Sequence, residues 1–177
     1  MGYEFYFHQA RLLYIGCGGG INVYNFANRI NEGKVFGIDY SDVSVQLSRK
    51  INKEFIDSNK VEIKKASVSS LPFPKDSFDL VTGFETYYFW PDLINNLKGI
   101  YSILKPEGQL VLINEAFKCI NEKLRRRNEK WANIGNFPIY SPQEIKQIME
   151  DSGFIDPKIE IEKLDRYIIA IGRKQPV

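Results

Sequence analysis

Three glycines at alternate positions, Gly16, Gly18 and Gly20, close the short apolar run at residues 12–15, with Cys17 between the first two. A turn of residues without a Cβ lets the backbone come into contact with a bound molecule. Asp39 ends the next apolar run, residues 35–38, 19 positions after Gly20. A carboxylate placed there accepts two hydrogen bonds from a ribose diol. The order of strand, glycine turn, helix, strand and acid describes a pocket for a ribose-bearing ligand. It fits more than one such ligand, including the nicotinamide dinucleotides. A dinucleotide fingerprint, however, asks for a small residue at position 21, and Ile21 stands there.

A second reactive cluster is Phe84-Glu85-Thr86-Tyr87-Tyr88-Phe89-Trp90. Glu85 and Tyr88 are its candidates for a base or an orienting group, and its ring faces can contact a cation. The competing reading puts these aromatics in the core or at an interface. His8, the single histidine, reads as a solvated terminal residue with no positioned partner. Arg125-Arg126-Arg127 offers a site for an acidic substrate or nucleic acid, but the flanking Glu122 and Glu129 point to a solvated helix face. Trp131, Phe137 and Tyr140 either line an acceptor pocket or pin down the segment that carries them.

Elements able to position these groups alternate along the chain. Apolar runs at 12–15, 35–38, 61–63, 78–84 and 109–114 read as strands. Between them, near-helical spacing marks a helix over 21–30 that ends at Gly33 as its C-cap. A second helix is capped by Ser41 and carries Val45, Leu47, Ile51 and Phe55, and a third covers 92–104. Residues 71–74 are loop, and Lys105-Pro106-Glu107-Gly108 is a tight turn. Residues 116–140 form a polar insertion, helical over about 121–131. Ser141-Pro142-Gln143-Glu144 is a capping box opening a helix that runs to Asp151 and stops at Gly153. Residues 158–161 and 166–172 make a final antiparallel pair. The pattern predicts a doubly wound α/β fold with a mostly parallel sheet. Its ligand belongs at the carboxyl ends of the strands, near residues 16–20, 39–41, 67–69 and 84–88.

The bulk numbers suit one domain over residues 1–177. The chain is 44% hydrophobic and 26% charged with a formal net charge of +2, so nothing in the total calls for nucleic acid. Its two cysteines, Cys17 and Cys119, form neither a disulfide framework nor a zinc spacing, and no metal is expected. That usage fits a reducing, cytoplasmic setting. No apolar run approaches the ~20 residues of a membrane span, and no signal peptide opens the chain.

Strand, GCGGG, helix, strand and Asp39, followed by LPFPKDSFDLV and then ILKPEGQLVLIN, resemble the class I S-adenosylmethionine (SAM)-dependent methyltransferases. The resemblance runs over residues 12–174 and is strongest to the small-molecule branch that includes the ubiquinone and menaquinone C-methyltransferases. It implies a Rossmann-like sheet of seven strands with helices on both faces and an antiparallel last strand. It also implies methyl transfer from SAM to a small-molecule acceptor, leaving S-adenosylhomocysteine. By position, Gly16, Cys17, Gly18 and Gly20 would face the methionine and ribose parts. Asp39 would hold the ribose hydroxyls, and Tyr40 would lie against the adenine. Ser67 and Val68 would meet the adenine edge, with Phe84 and Glu85 near the methionine and the acceptor.

Three positions depart from the family pattern. Tyr14 stands where an acid supports the methionine ammonium, and Ser67 stands where an aspartate meets the adenine amine. About eleven residues precede the first strand, where relatives carry several tens folded over the pocket. The short start implies either a truncated gene or a site covered by the 116–140 insertion and a partner chain, as in a homodimer. The departures also keep open a SAM-binding remnant of little activity, and a nicotinamide- or nucleotide-binding relative stands as the other alternative.

Overall fold

The structure is a computed structural model that describes residues 9–162, 164 and 166–176. His8 and the aromatic stretch before it lie outside the described residues. One seven-stranded sheet runs through the chain in the order β3-β2-β1-β4-β5-β7-β6. Its strands are β1 (Gln9–Ile15), β2 (Glu32–Asp39), β3 (Val61–Lys65), β4 (Phe78–Phe84), β5 (Leu104–Asn114), β6 (Lys158–Ile161) and β7 (Ile168–Arg173). The first five pair in parallel, and β7 lies antiparallel to both β5 and β6.

Alternation along β1 divides the core between the two faces of the sheet. Leu12 and Tyr14 pack with Val23, Ala27 and Ile30 of the α1 side and with Val45. Leu13 and Ile15 join Leu97, Ile100, Ile145 and Met149 on the other side. The helices follow that division. On the first face are α1 (Ile21–Arg29), α2 (Asp42–Ile51) and the short α3 (Lys53–Asp57), while α4 (Leu93–Ile103) and α6 (Pro142–Asp151) cover the second. Side-chain caps begin the helices where the sequence places them. Ser41 accepts from the Ser44 amide, Asp92 from the Asn95 amide, and Ser141 and Glu144 form the reciprocal box. The 116–140 insertion holds α5 (Glu122–Gly135), longer than the periodicity alone marked.

Three local readings change. Gly33 is not the cap of α1, whose end at Arg29 is followed by Ile30 in an extended conformation. Gly33 lies inside β2 with φ +131°, where a Cβ would fall 2.3 Å from the Ala10 carbonyl oxygen. The 105–108 turn is drawn into β5 as an irregularity in its pairing with β4, and Glu107 takes φ +66°.

The apolar stripe of α2 is also rotated. Leu47 and Ile51 are exposed, while Ser48 and Asn52 are fully buried. The reason is the glycine turn, since a Cβ on Gly20 would lie 2.5 Å from Ser48 Oγ and 2.7 Å from Asn52 Nδ2. Only the short polar face of α2 allows so close an approach. Asn52 completes it by donating to the carbonyls of Gly20 (3.0 Å) and Ser48 (2.9 Å).

Two glycine substitutions with opposite signs test this account. Gly33→Ala meets both a disfavoured φ and backbone contact, and it should lower unfolding stability by about 2–3 kcal/mol in urea titration. Gly99→Ala inside α4, whose Cβ would meet Leu71 at an ordinary 3.9 Å, should raise stability by about 0.5–1 kcal/mol through helix propensity.

Candidate active site

A cavity of about 440 Å³ opens at the carboxyl ends of β1, β2 and β4 and beside the segment that follows β3. It is lined by Ile15, Gly16, Ile38, Asp39, Tyr40, Ala66, Ser67, Val68, Thr86, Phe89, Trp90 and Pro91. The structure therefore brings together five of the predicted cofactor residues: Gly16, Asp39, Tyr40, Ser67 and Val68. Val68 is buried, Tyr40 stands open at 78% of its surface, and Phe89 is open at 62%. Gly16 sits at the narrowest approach. With φ +73°, it leaves no room for a Cβ, which would meet Thr86 Cγ2 at 2.6 Å.

The glycine turn is folded on itself by its own amides. Those of Gly16 and Cys17 donate to the Ile38 carbonyl at 2.8 and 2.9 Å, and that of Gly20 donates to the Cys17 carbonyl at 2.9 Å. The Gly18 amide donates to Asp39 Oδ2 at 2.9 Å, and the Ser41 amide to Asp39 Oδ1 at 2.9 Å. Asp39 is almost closed to solvent, and each of its oxygens keeps a lone pair beyond the one it has used. Gly18 and Gly20 shape this turn without lining the cavity. Cys17 turns its side chain into the core, where burial pushes the thiol up to about 11 and keeps it neutral.

Tyr14 does not line the cavity. Its ring lies in the core on the α1 side, edge-on to Phe84 at 5.3 Å, and its hydroxyl accepts from Asn22 Nδ2 at 2.9 Å. Burial raises its pKa, so a neutral phenol occupies the position where the resemblance implies an acid. Phe84 packs against this same cluster and faces away from the cavity.

The loop after β4 carries the other candidates. Glu85 adopts φ +57°, and its residue surface is exposed, yet its carboxyl is held by two donors. Oε1 accepts from the Glu115 amide at 2.7 Å, and Oε2 accepts from the Tyr88 hydroxyl. Burial is the largest influence on that carboxyl and raises its pKa, with the Tyr88 bond opposing. The Tyr88 hydroxyl is pushed up in turn, first by burial and then by Glu85. Tyr87, Tyr88 and Trp90 are core residues, as the competing reading had it, while Phe89 is not. Phe137 stacks on Tyr88 with ring centroids 4.7 Å apart and meets Phe89 at 5.4 Å.

Sequence reasoning did not single out Asn114 or Asn128. Asn114, fully buried, accepts from the Thr86 amide at 3.1 Å and donates to the Ile113 carbonyl in the amide orientation that satisfies both ends. Asn128, also fully buried, donates to the carbonyls of Glu115 (3.1 Å) and Phe117 (2.9 Å) and so ties α5 to the chain leaving β5. The only sequence signal for Asn128 was a polar residue at helical spacing between Leu124 and Ala132. Arg125 and Arg126 behave as a solvated face and pair with Glu129 and Glu122.

Among the described residues, no helix is long and apolar enough to cross a membrane. The profile of the family described as "Methyltransferase domain" matches residues 13–112. The demethylmenaquinone methyltransferase of Lactococcus lactis is 33% identical over 103 residues, covering 58% of this chain and 40% of that protein. The juvenile hormone acid O-methyltransferase of Drosophila melanogaster is 28% identical over 170 aligned positions, covering 85% of this chain and 56% of that protein. The chain thus spans about half or less of the length of these relatives. A SAM-dependent methyltransferase structure from Aquifex aeolicus shares the fold with a TM-score of 0.74 at 19% identity, covering 96% of this chain and 85% of that one. Sheet order, glycine turn and these matches agree: the chain belongs to the methyltransferase-domain family and has the Rossmann-like fold of class I SAM-dependent methyltransferases.

Proposed function

We propose that this chain binds SAM in the 440 Å³ cavity and transfers its methyl group to a small-molecule acceptor, releasing S-adenosylhomocysteine. The observation that carries this reading is the Asp39 carboxylate, oriented by the Gly18 and Ser41 amides at the cavity wall. Its remaining lone pairs suit a ribose diol. Gly16 allows close approach to the methionine end, while Tyr40, Ser67 and Val68 frame the adenine end. A pyrophosphate would need free amides in the glycine turn, and those of Gly16, Cys17, Gly18 and Gly20 are all committed to internal acceptors. That disfavours a nicotinamide dinucleotide. Tyr14 lies outside the cavity lining and does not obstruct it, while its phenol, paired with Asn22, leaves the implied acid unreplaced.

When bound, SAM supplies a methyl carbon already activated by a sulfonium. The protein's part is then alignment and removal of any proton the acceptor must lose. Glu85, fixed by Tyr88 and the Glu115 amide, is the group we assign to take that proton. The α5 segment of the 116–140 insertion would cover the acceptor side, with Phe89 and Phe137 forming its apolar wall.

Calorimetric titration with S-adenosylhomocysteine tests the cofactor site. The wild type should bind, and Asp39→Ala should bind about 10- to 100-fold more weakly, the scale of one charge-assisted hydrogen bond. Absence of binding at millimolar ligand, or binding of NAD in its place, would refute the reading.

The acid–base assignment is tested by pH. Folding favours the protonated form of Glu85, so its contribution to stability is complete below the ordinary carboxylate range and is lost as pH rises through its raised value. A base is active only when ionised, so the rate should rise with pH along a limb above the usual glutamate range. Tyr88→Phe removes a bond that lowers the Glu85 pKa and should move that limb to higher pH. Glu85→Gln should reduce kcat about 10²- to 10⁴-fold. An unshifted limb in Tyr88→Phe would discard the pairing.

A further inference from the structure

Of the three consecutive arginines on α5, one forms no ion pair among the described residues. Arg125 and Arg126 have carboxylates four residues away along the helix. Arg127 has Lys123 and Trp131 at those positions, and it forms no ion pair among the described residues. Its guanidinium is nevertheless fixed in place. Nε and Nη2 donate to Asn128 Oδ1 at 3.2 and 3.1 Å, and the plane lies 4.6 Å from the Trp131 ring centre. Asn128 is itself anchored through its Nδ2 on the carbonyls of Glu115 and Phe117. The Glu115 amide in turn holds Glu85. A continuous set of bonds therefore runs from Arg127 to the group assigned as proton acceptor, and Arg127 acts electrostatically on the Glu85 carboxyl. A half-buried arginine, held by Asn128 beside the Trp131 ring with its remaining donors uncommitted among the described residues, is preorganised for a planar anion.

We infer that Arg127 is a specificity residue that docks a carboxylate on the methyl acceptor, with Trp131 flanking it. This rests on the proposed acceptor side of the cavity and names the class of molecule that enters there. Glu85 and Glu115 set the opposing condition. If their charges dominated, the site would select a cation instead.

The test uses ¹⁵N-labelled protein and follows the indole signals of Trp90 and Trp131, assigned with Trp131→Phe. Benzoate should move the Trp131 signal, and benzamide should not. Arg127→Gln keeps a donor for Asn128 and the anchor of α5, so it should fold. It should weaken benzoate at least about tenfold while leaving S-adenosylhomocysteine affinity unchanged. Arg127→Lys should recover part of the loss, since it restores charge without the fork. Equal responses to benzoate and benzamide, a wild-type response in Arg127→Gln, or a Trp131 response to benzylamine would each overturn the inference. The titration is run with and without S-adenosylhomocysteine. Failure of that ligand to bind counts against the cofactor site, while the benzoate response alone decides on Arg127.

Discussion

The site depends on one carboxylate that joins two pieces of backbone. Asp39 accepts from Gly18 in the turn after β1 and from Ser41 at the start of α2. Those bonds fix the glycine turn against the end of β2 and aim both carboxylate oxygens along the cavity wall. They also account for the crowding around Gly20, because an α2 that begins at Ser41 carries Ser48 and Asn52, at its far end, directly over the glycine turn. The exposed Leu47 and buried Ser48 follow from that approach. An apolar side chain at position 48 would push the two segments apart.

The same constraint explains how much the sequence disclosed. The place of Gly16, Asp39, Tyr40, Ser67 and Val68 at the cavity was legible because a turn without Cβ, an acid at a strand end and the segment after a strand mark the carboxyl ends of parallel strands, whereas the roles of Tyr40, Ser67 and Val68 came only from the family resemblance. The sheet was legible from alternating periodicities, and even the antiparallel β7 followed from the closing pair of short runs. Gly33 misled because a glycine after a helix reads as a cap, whereas its cause is the Ala10 backbone in the neighbouring strand. The α2 stripe misled for a similar reason. Hydropathy assigns leucine and isoleucine to the inside, and a contact with glycine overrides it.

Asparagines show the limit most clearly. Asn52, Asn114 and Asn128 are each fully buried, against the usual preference of this residue for the surface. Each holds backbone groups of another segment, at the glycine turn, at the loop after β4 and at the start of the insertion. A buried amide without partners costs about 1–3 kcal/mol, so these residues specify one arrangement of three separate segments. Nothing local distinguishes them from solvated asparagines, because their partners are distant in sequence.

Charge near the cavity is correspondingly sparse. Burial keeps the Tyr14 and Tyr88 phenols and the Cys17 thiol neutral, and Asp39 is the one charged side chain in the cavity lining among the described residues, with Glu85, Glu115 and Arg127 beyond it in the loop after β4, the chain leaving β5 and α5. Asp39 is satisfied by backbone amides, so its charge is held without a mobile counter-ion. Glu85 is likewise held by two donors, but one of them is the Tyr88 hydroxyl, and burial destabilises its ionised form. Fixed charge is therefore strongest at the ribose end and most adjustable at the acceptor end. A site of this kind can hold one ligand by rigid geometry while the protonation of a single carboxyl decides when the second reacts. The Arg127 charge lowers the pKa of that carboxyl, so an anionic acceptor would oppose the ionisation of Glu85 less while paired with Arg127 than it would free. Under the proposed roles, the Arg127–Asn128–Glu115–Glu85 series would couple recognition to proton removal with no motion of the sheet.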